Sequence, residues 1–242
     1  VEDARKAFGA KNALAGASLV VHTGETVAIV GRNGAGKSTL LKAALGLIRL
    51  DAGRIETCRV DAAKGPNEVR RLAGYVPDRV DFDPDVDLRG LLRFLRPFYP
   101  SWDANEAAHL VDALRVPLRT PMRSLSLGER VKAAIVAASA PRPRLLLMDE
   151  PFGALDPAAR DDVARSLLAA ASSEGRAVVF TTHDLDAAAR LADRVVVMAD
   201  GRVVRDERLS ADDGENSVDH SSPSMKSRLR AVFDGAGAGE TS

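Results

Sequence analysis

Cysteine is nearly absent from this sequence, with Cys58 the one example in 242 residues. A single thiol cannot build an internal disulfide framework, and its isolation fits a reducing compartment. No activating base lies near it in sequence, so Cys58 reads as a passive residue beside a strand. An excess of either charge is also missing: 34 Lys plus Arg face 34 Asp plus Glu, and the pI is about 7.1. That neutrality argues against a protein that coats nucleic acid or an anionic membrane, because such binding draws on a positive excess. No nucleic-acid partner is expected. Long apolar runs are lacking too, since stretches such as the eight uncharged residues 133–140 fall far short of the ~18 needed to span a bilayer. No basic-then-apolar N-terminal segment reads as a secretion signal, so the expectation is a protein that stays where it is made. Aromatics are scarce, at 4%. Phe82, Phe94, Phe98, Tyr99 and Trp102 crowd into one segment, where they could form a small local core.

What is present is a globular composition, 45% apolar and 28% charged, in a chain long enough for one or two domains. From Gly24 onward, short apolar runs alternate with helical periodicity, the pattern of a mostly parallel sheet with helices on its faces. Strands are expected at 26–30, 145–148, 177–181 and 194–198. Helices are expected at 37–47, 88–98, 105–114, 129–140, 158–172 and 185–191. The stretch 78–143 shows no convincing strand and has prolines near both ends, so it reads as a helical insertion. The tail 211–242 is polar and reads as loosely attached.

Three segments carry chemistry. Gly31, Arg32, Asn33, Gly34, Ala35, Gly36, Lys37, Ser38 and Thr39 match G-x-x-x-x-G-K-[ST], directly after one expected strand and at the start of a helix. Glycines let the backbone curl so that successive N–H groups point inward, and the helix adds its positive dipole end at the same place. A phosphate chain is the natural occupant, with Lys37 reaching its distal phosphates and the Ser38 hydroxyl binding Mg²⁺. The alternative, a glycine-rich turn with a surface lysine, leaves the strand and helix on either side as coincidence.

At 145–150 an apolar strand ends in Asp149 and Glu150. Asp149 would hold Mg²⁺ through water opposite Ser38, and Glu150 would orient and deprotonate an attacking water. Alone, the pair would read as a solvated acidic turn. Ser126 and Glu129 fit a capping box, S-x-x-E, at the start of a helix. Capping accounts for both but not for Gly128, which would let another phosphate approach the helix end; on local grounds both readings stand.

Four features in fixed order, 31–39, 125–129, 145–151 and His183 after a strand, resemble the ATP-binding subunit of ABC transporters over about residues 5–208. The resemblance implies an α/β P-loop NTPase: a RecA-like parallel sheet core with an N-terminal antiparallel β part (1–77 and 144–210), an inserted helical subdomain (78–143) and a polar tail (211–242). It implies ATP hydrolysis with Mg²⁺, and a homodimer or heterodimer of nucleotide-binding domains, head to tail around two ATP. It also implies a separate transmembrane permease subunit and a cytoplasmic place on the inner face of the cell membrane. In such a dimer Ser126 and Gly128 would close over the γ-phosphate held at Lys37 of the partner. Asp156 corresponds to the acidic residue of the D-loop at the interface, and His183 to the switch histidine that contacts the γ-phosphate. Phe8, 29 residues before Lys37, stands where the family places an aromatic on adenine. Two departures stand out. Asp78 replaces the usual glutamine that faces Mg²⁺ or the attacking water, and the signature segment has Leu127 and Glu129 in place of glycine and glutamine. The segment 94–103 is similar to a motif of small bacterial exporter ATPases. Rival readings are a soluble ABC-type ATPase outside transport, a low-turnover regulatory nucleotide-binding module, and a small-molecule kinase sharing the phosphate loop.

Overall fold

A computed structural model of the chain describes residues 1–153 and 175–209. β1 (Glu2–Phe8) and β2 (Lys11–Ala17) form a hairpin, and the buried strand β3 (Thr26–Val30) runs through the loop 31–36 into α1 (Lys37–Ala44). Three short strands follow, β4 (Ala52–Arg54), β5 (Glu56–Thr57) and β6 (Val60–Asp61), then α2 (Pro66–Leu72) and β7 (Ala73–Val76). The helices α3 (Leu88–Leu95), α4 (Ala104–Leu114) and α5 (Leu127–Ser139) lead to β8 (Leu145–Met148). Beyond residue 175 come β9 (Ala177–Thr182), α6 (Leu185–Leu191), β10 (Arg194–Ala199) and β11 (Arg202–Arg208).

The main sheet has the order β11-β10-β3-β9-β8-β7, parallel throughout except for β11. Its inner strands are mostly apolar, with polar residues only at their ends, because both faces are covered. Ala28, Val30, Met148, Val178, Phe180 and Val197 point into one core with residues of α3, α4, α5 and α6. The alternate residues Val27, Ile29, Leu147, Val179, Val196 and Met198 pack with α1 and the hairpin. A second, antiparallel sheet, β2-β1-β4, supplies the expected N-terminal β part.

Expected strands 26–30 and 145–148 stand as read, and β9 and β10 each run one residue further. α1 stops at Ala44 instead of 47. Gly46 N–H bonds Ala43 O at 3.0 Å and Leu47 N–H bonds Lys42 O at 2.9 Å, a Schellman closure on a left-handed glycine. α3 gives way at Arg96 to a 3₁₀ turn because Pro97 has no N–H to donate. α5 starts at Leu127, before the expected 129, because its cap is Ser126. β1, β2, β4, β5, β6, β7, β11 and α2 are elements the periodicity did not show. The expected helix 158–172 and the tail 211–242 lie outside the described residues.

The aromatic cluster is a correction. Phe94 and Phe98 are 66% and 58% exposed, paired with each other on the surface at 5.5 Å. Of the five aromatics, Phe82 does pack partly buried against the core, whose fully buried members in the insertion include Leu88, Leu110, Leu114 and Ile135. Helical spacing explains the exposure of Phe94: Leu88, Leu91 and Leu92 share the inner face of α3, and Phe94 falls off it. Cys58 sits with Arg59 in the β5–β6 turn, both at positive φ, and burial raises its thiol pKa. Among the described residues no helix is long and apolar enough to cross a membrane.

Candidate functional site

The end of β3 and the start of α1 make the phosphate loop. Gly36 caps α1 with φ 101°, and a Cβ there would lie 2.3 Å from the Ala13 carbonyl oxygen, so β2 leaves room for glycine alone. No side chain caps α1. Its first N–H groups and positive dipole end are therefore left for an anion. Ala35 is buried, Ser38 and Thr39 are half-buried, and Asn33 and Gly34 are exposed at the loop surface.

Lys37 is only 6% exposed. Its ammonium donates to the Gly31 carbonyl at 2.6 Å and lies 3.4 Å from Oε1 of Glu150. The second contact is an ion pair by distance only, because that buried oxygen makes no hydrogen bond among the described residues. On the other side, Oε2 of Glu150 meets Nδ1 of His183 at 3.0 Å. Lys37, Glu150 and His183 thus form one chain of contacts along the C-terminal edge of the sheet. Glu150 holds its position with φ 48°, a left-handed conformation that turns the chain sharply after β8.

Asp149 is 2% exposed and accepts a hydrogen bond from the Thr181 hydroxyl at 2.7 Å. The same hydroxyl accepts the Glu150 N–H at 2.9 Å. Thr181 therefore orients both carboxylate residues from the neighbouring strand. It escaped sequence reasoning, and the visible signal was a polar Thr181-Thr182 pair closing an apolar strand. Asp78 follows β7, which pairs with β8 in parallel, so it lies on the same edge as Asp149. It is exposed and joins no hydrogen bond or ion pair among the described residues. Both acids act on Tyr75, whose phenol pKa is raised by burial first and by the charges of Asp149 and Asp78 next.

Phe8 ends β1 with its ring 51% exposed, and the Lys6 ammonium sits 5.4 Å from the ring centre. Its register partner Lys11 brings an ammonium to 3.2 Å from where a Cβ of Gly34 would lie. The end of this hairpin is thus beside the phosphate loop. Ser126 and Gly128 are elsewhere, at the head of α5, and no hydrogen bond or ion pair joins them to the loop among the described residues. The capping box is complete: Glu129 N–H bonds Ser126 Oγ at 3.2 Å, and the Glu129 carboxylate takes Ser126 N–H at 2.8 Å and Ser126 O–H at 2.7 Å. Those bonds lower the Glu129 pKa. Asp156 lies outside the described residues.

The donor set fits Mg²⁺ held jointly with a nucleotide. Among the described residues no group of three or more carboxylate, imidazole or thiol side chains could hold a metal by itself. One hydroxyl (Ser38) and one buried carboxylate (Asp149) are what Mg²⁺ takes when phosphates and water complete its shell.

The family model described as ABC transporter matches residues 14–153, more than half of the chain. This chain belongs to the ABC transporter ATP-binding family. Among its family relatives is the Fe(3+) ions import ATP-binding protein FbpC of Streptomyces coelicolor, 36% identical over 85% of this chain and 60% of that protein. Another is the carnitine transport ATP-binding protein OpuCA of Listeria monocytogenes, 35% identical over 81% of this chain and 51% of that one. The chain therefore spans half to three-fifths of the length of these two relatives. A solved ATP-binding subunit of an ABC transporter is 31% identical, with TM-score 0.78 over 86% of this chain and 88% of that one. The P-loop ATPase fold of the family is the fold described above.

Proposed function

We propose that this chain is the ATP-binding and ATP-hydrolysing subunit of an ABC transporter, working as a dimer around two Mg-ATP and driving a separate transmembrane subunit. The contact chain Lys37–Glu150–His183 at the mouth of an uncapped helix carries this reading. It puts a cation for phosphate, a base for water and an imidazole for the terminal phosphate within one small volume.

In this reading the loop N–H groups and Lys37 bind the phosphates, while Phe8 stacks on adenine. Mg²⁺, when bound by Ser38 and Asp149, neutralises phosphate charge. Glu150 takes a proton from water as its oxygen attacks the γ-phosphorus in line with the departing diphosphate. His183 holds Glu150 and the γ-phosphate in register. Ser126 and Gly128, at the head of α5, face the nucleotide of the other copy. Asp156 lines the interface, and Asp78 faces the water side of the metal.

The proposed labour divides along the chain, with 1–77 and 144–210 holding nucleotide and 78–143 presenting the signature helix. A groove of about 400 Å³ at their junction is lined by Leu45, Tyr75, Val80, Leu91 and Leu95 with Arg71 and Arg79. The buried Tyr75 hydroxyl in its wall has no hydrogen-bond partner among the described residues. Such a groove suits a helix of the membrane subunit, which would hold this chain on the inner face of the membrane. Substrate and direction belong to that subunit; the import names of the relatives are theirs.

The test is phosphate release from Mg-ATP by the purified chain, alone and with its membrane partner. Turnover lost in Lys37→Ala is expected. ATP binding with no turnover even beside the membrane partner would favour the regulatory reading.

A further inference from the structure

We infer that Lys11 is a second cation for the phosphate tail, supplied by the β1–β2 hairpin rather than by the phosphate loop. The inference rests on the ATP-binding reading above and adds a residue that neither the loop pattern nor the signature helix accounts for. Lys11 opens β2, cross-strand from Phe8. Its ammonium lies 3.2 Å from the point a Cβ of Gly34 would occupy, beside the loop. A Cβ at 34 would press on the ammonium at that distance, and the positive φ of Gly34 favours glycine there as well.

Three observations make this more than a surface lysine near a turn. First, the hairpin and the loop are held as one unit. Ala15 N–H bonds Gly201 O at 2.9 Å, Gly201 N–H bonds Ala35 O at 3.1 Å, and Ala13 O stands 2.3 Å from where a Cβ of Gly36 would be. The Lys11 backbone is therefore fixed relative to the loop, and only its side chain needs to move. Second, the hairpin's other lysine has a different task. Lys6 is bound to Asp51 at 2.7 Å and lies against Phe8, and the Asp51 carboxylate also takes the Ala7 N–H at 2.7 Å. Lys11 has no such acid. Among the described residues it makes no hydrogen bond or ion pair, although it stands beside a loop shaped for anions. Third, Lys37 is buried and bonded to the loop's own Gly31 carbonyl. It is held at the start of the loop, whereas the Lys11 ammonium stands beside Gly34, three residues further along.

The hairpin end would then hold the nucleotide at two points, the base on Phe8 and the phosphate tail under Lys11. A partly exposed cation facing phosphate should be worth roughly a three- to tenfold change in affinity. Its share should follow the phosphates and not the base.

The experiment titrates the full chain with ATP and with inorganic tripolyphosphate, in wild type, Lys11→Gln and Lys11→Arg, at low and high salt. Lys11→Gln should weaken both ligands about three- to tenfold at low salt, and the loss should shrink at high salt. Lys11→Arg should restore most of the affinity. The melting temperature without ligand should stay unchanged, since the side chain touches no partner. Unchanged affinity in Lys11→Gln while wild type binds ATP would overturn this inference alone. An arginine variant as weak as the glutamine variant would also overturn it, by pointing to a structural role. A wild-type chain that binds neither ligand would overturn the parent reading as well.

Discussion

Glu150 and His183 meet at 3.0 Å although 33 residues separate them in the chain. The contact brings the end of β8 and the end of β9 to one point, where the proposed base and the proposed phosphate sensor share a hydrogen bond. Glu150→Gln keeps the shape and removes the base. It should retain ATP binding while hydrolysis falls by roughly 10²- to 10⁴-fold. Single-turnover phosphate release checks this, and wild-type turnover in the variant would remove Glu150 from the base role. Adding His183→Ala to Glu150→Gln should cost little more, because groups that act as a unit are not additive.

Thr181 is fully buried and serves both acidic residues with one hydroxyl. Thr181→Val keeps the volume and leaves Asp149 and the Glu150 N–H without that partner. A loss of about 1–3 kcal/mol is expected in chemical denaturation, together with a raised Mg²⁺ requirement for turnover. Thr181→Ser, which keeps the hydroxyl, should recover most of both. A valine variant as stable and as active as wild type would show that the hydroxyl is dispensable.

Gly36→Ala has two costs, a positive φ and a carbonyl oxygen 2.3 Å from the new Cβ. Nucleotide binding should be abolished, read as the loss of the ATP-induced rise in melting temperature. Gly9→Ala is the control, since it shares a positive φ but has nothing within 4 Å. It should cost only about 1 kcal/mol and leave ATP protection in place.

At the head of α5, Ser126→Ala should cost about 1 kcal/mol as a lost cap. If Ser126 also closes over the partner's phosphate, it should lower turnover as well. Glu129→Gln keeps an acceptor for the Ser126 N–H but removes a negative charge from the helix end that would meet that phosphate. ATP-dependent dimer formation should therefore increase, as measured by light scattering. No change in dimerisation would mean that the Glu129 charge is not felt across the interface.

Asp51, Asp103 and Glu129 all have lowered pKa values. Asp51 is held first by Lys6, Asp103 by the Glu106 N–H and then Arg142, and Glu129 by Ser126. Each binds its proton less readily folded than unfolded. Their contribution to stability is thus present above the unfolded carboxylate range near ~4, and is lost as pH falls through the folded values. Denaturation curves should show stability falling on the acid side, and Asp103→Asn should flatten that slope. An unchanged slope would place the acid sensitivity elsewhere.

Much of the site was legible because its chemistry is local. Nine consecutive residues from Gly31 to Thr39 both bend the backbone and supply the lysine and hydroxyls, and Asp149 and Glu150 are adjacent at a strand end. The inner strands were legible because burial on both faces leaves continuous apolar runs. β1 and β11 were harder to see, since one face of each meets solvent and charged residues interrupt the pattern, and β2 because its small residues, with two alanines and a glycine in its last four, give a weak strand signal. Phe94 and Phe98 misled because aromatic content says nothing about which side of a helix it occupies.

By itself the sequence determined the glycine-rich loop, the acidic strand end, the capped helix that starts at Ser126 and the parallel α/β core, since each is written in neighbouring residues or in a period of two or 3.6. Tertiary structure alone decided that Lys37 and His183 flank Glu150, that Thr181 orders both acids, that the hairpin lays Lys11 beside Gly34 and that Ser126 stands apart from its own loop. Those are contacts between distant segments, set by strand order and by which face each strand turns to the core.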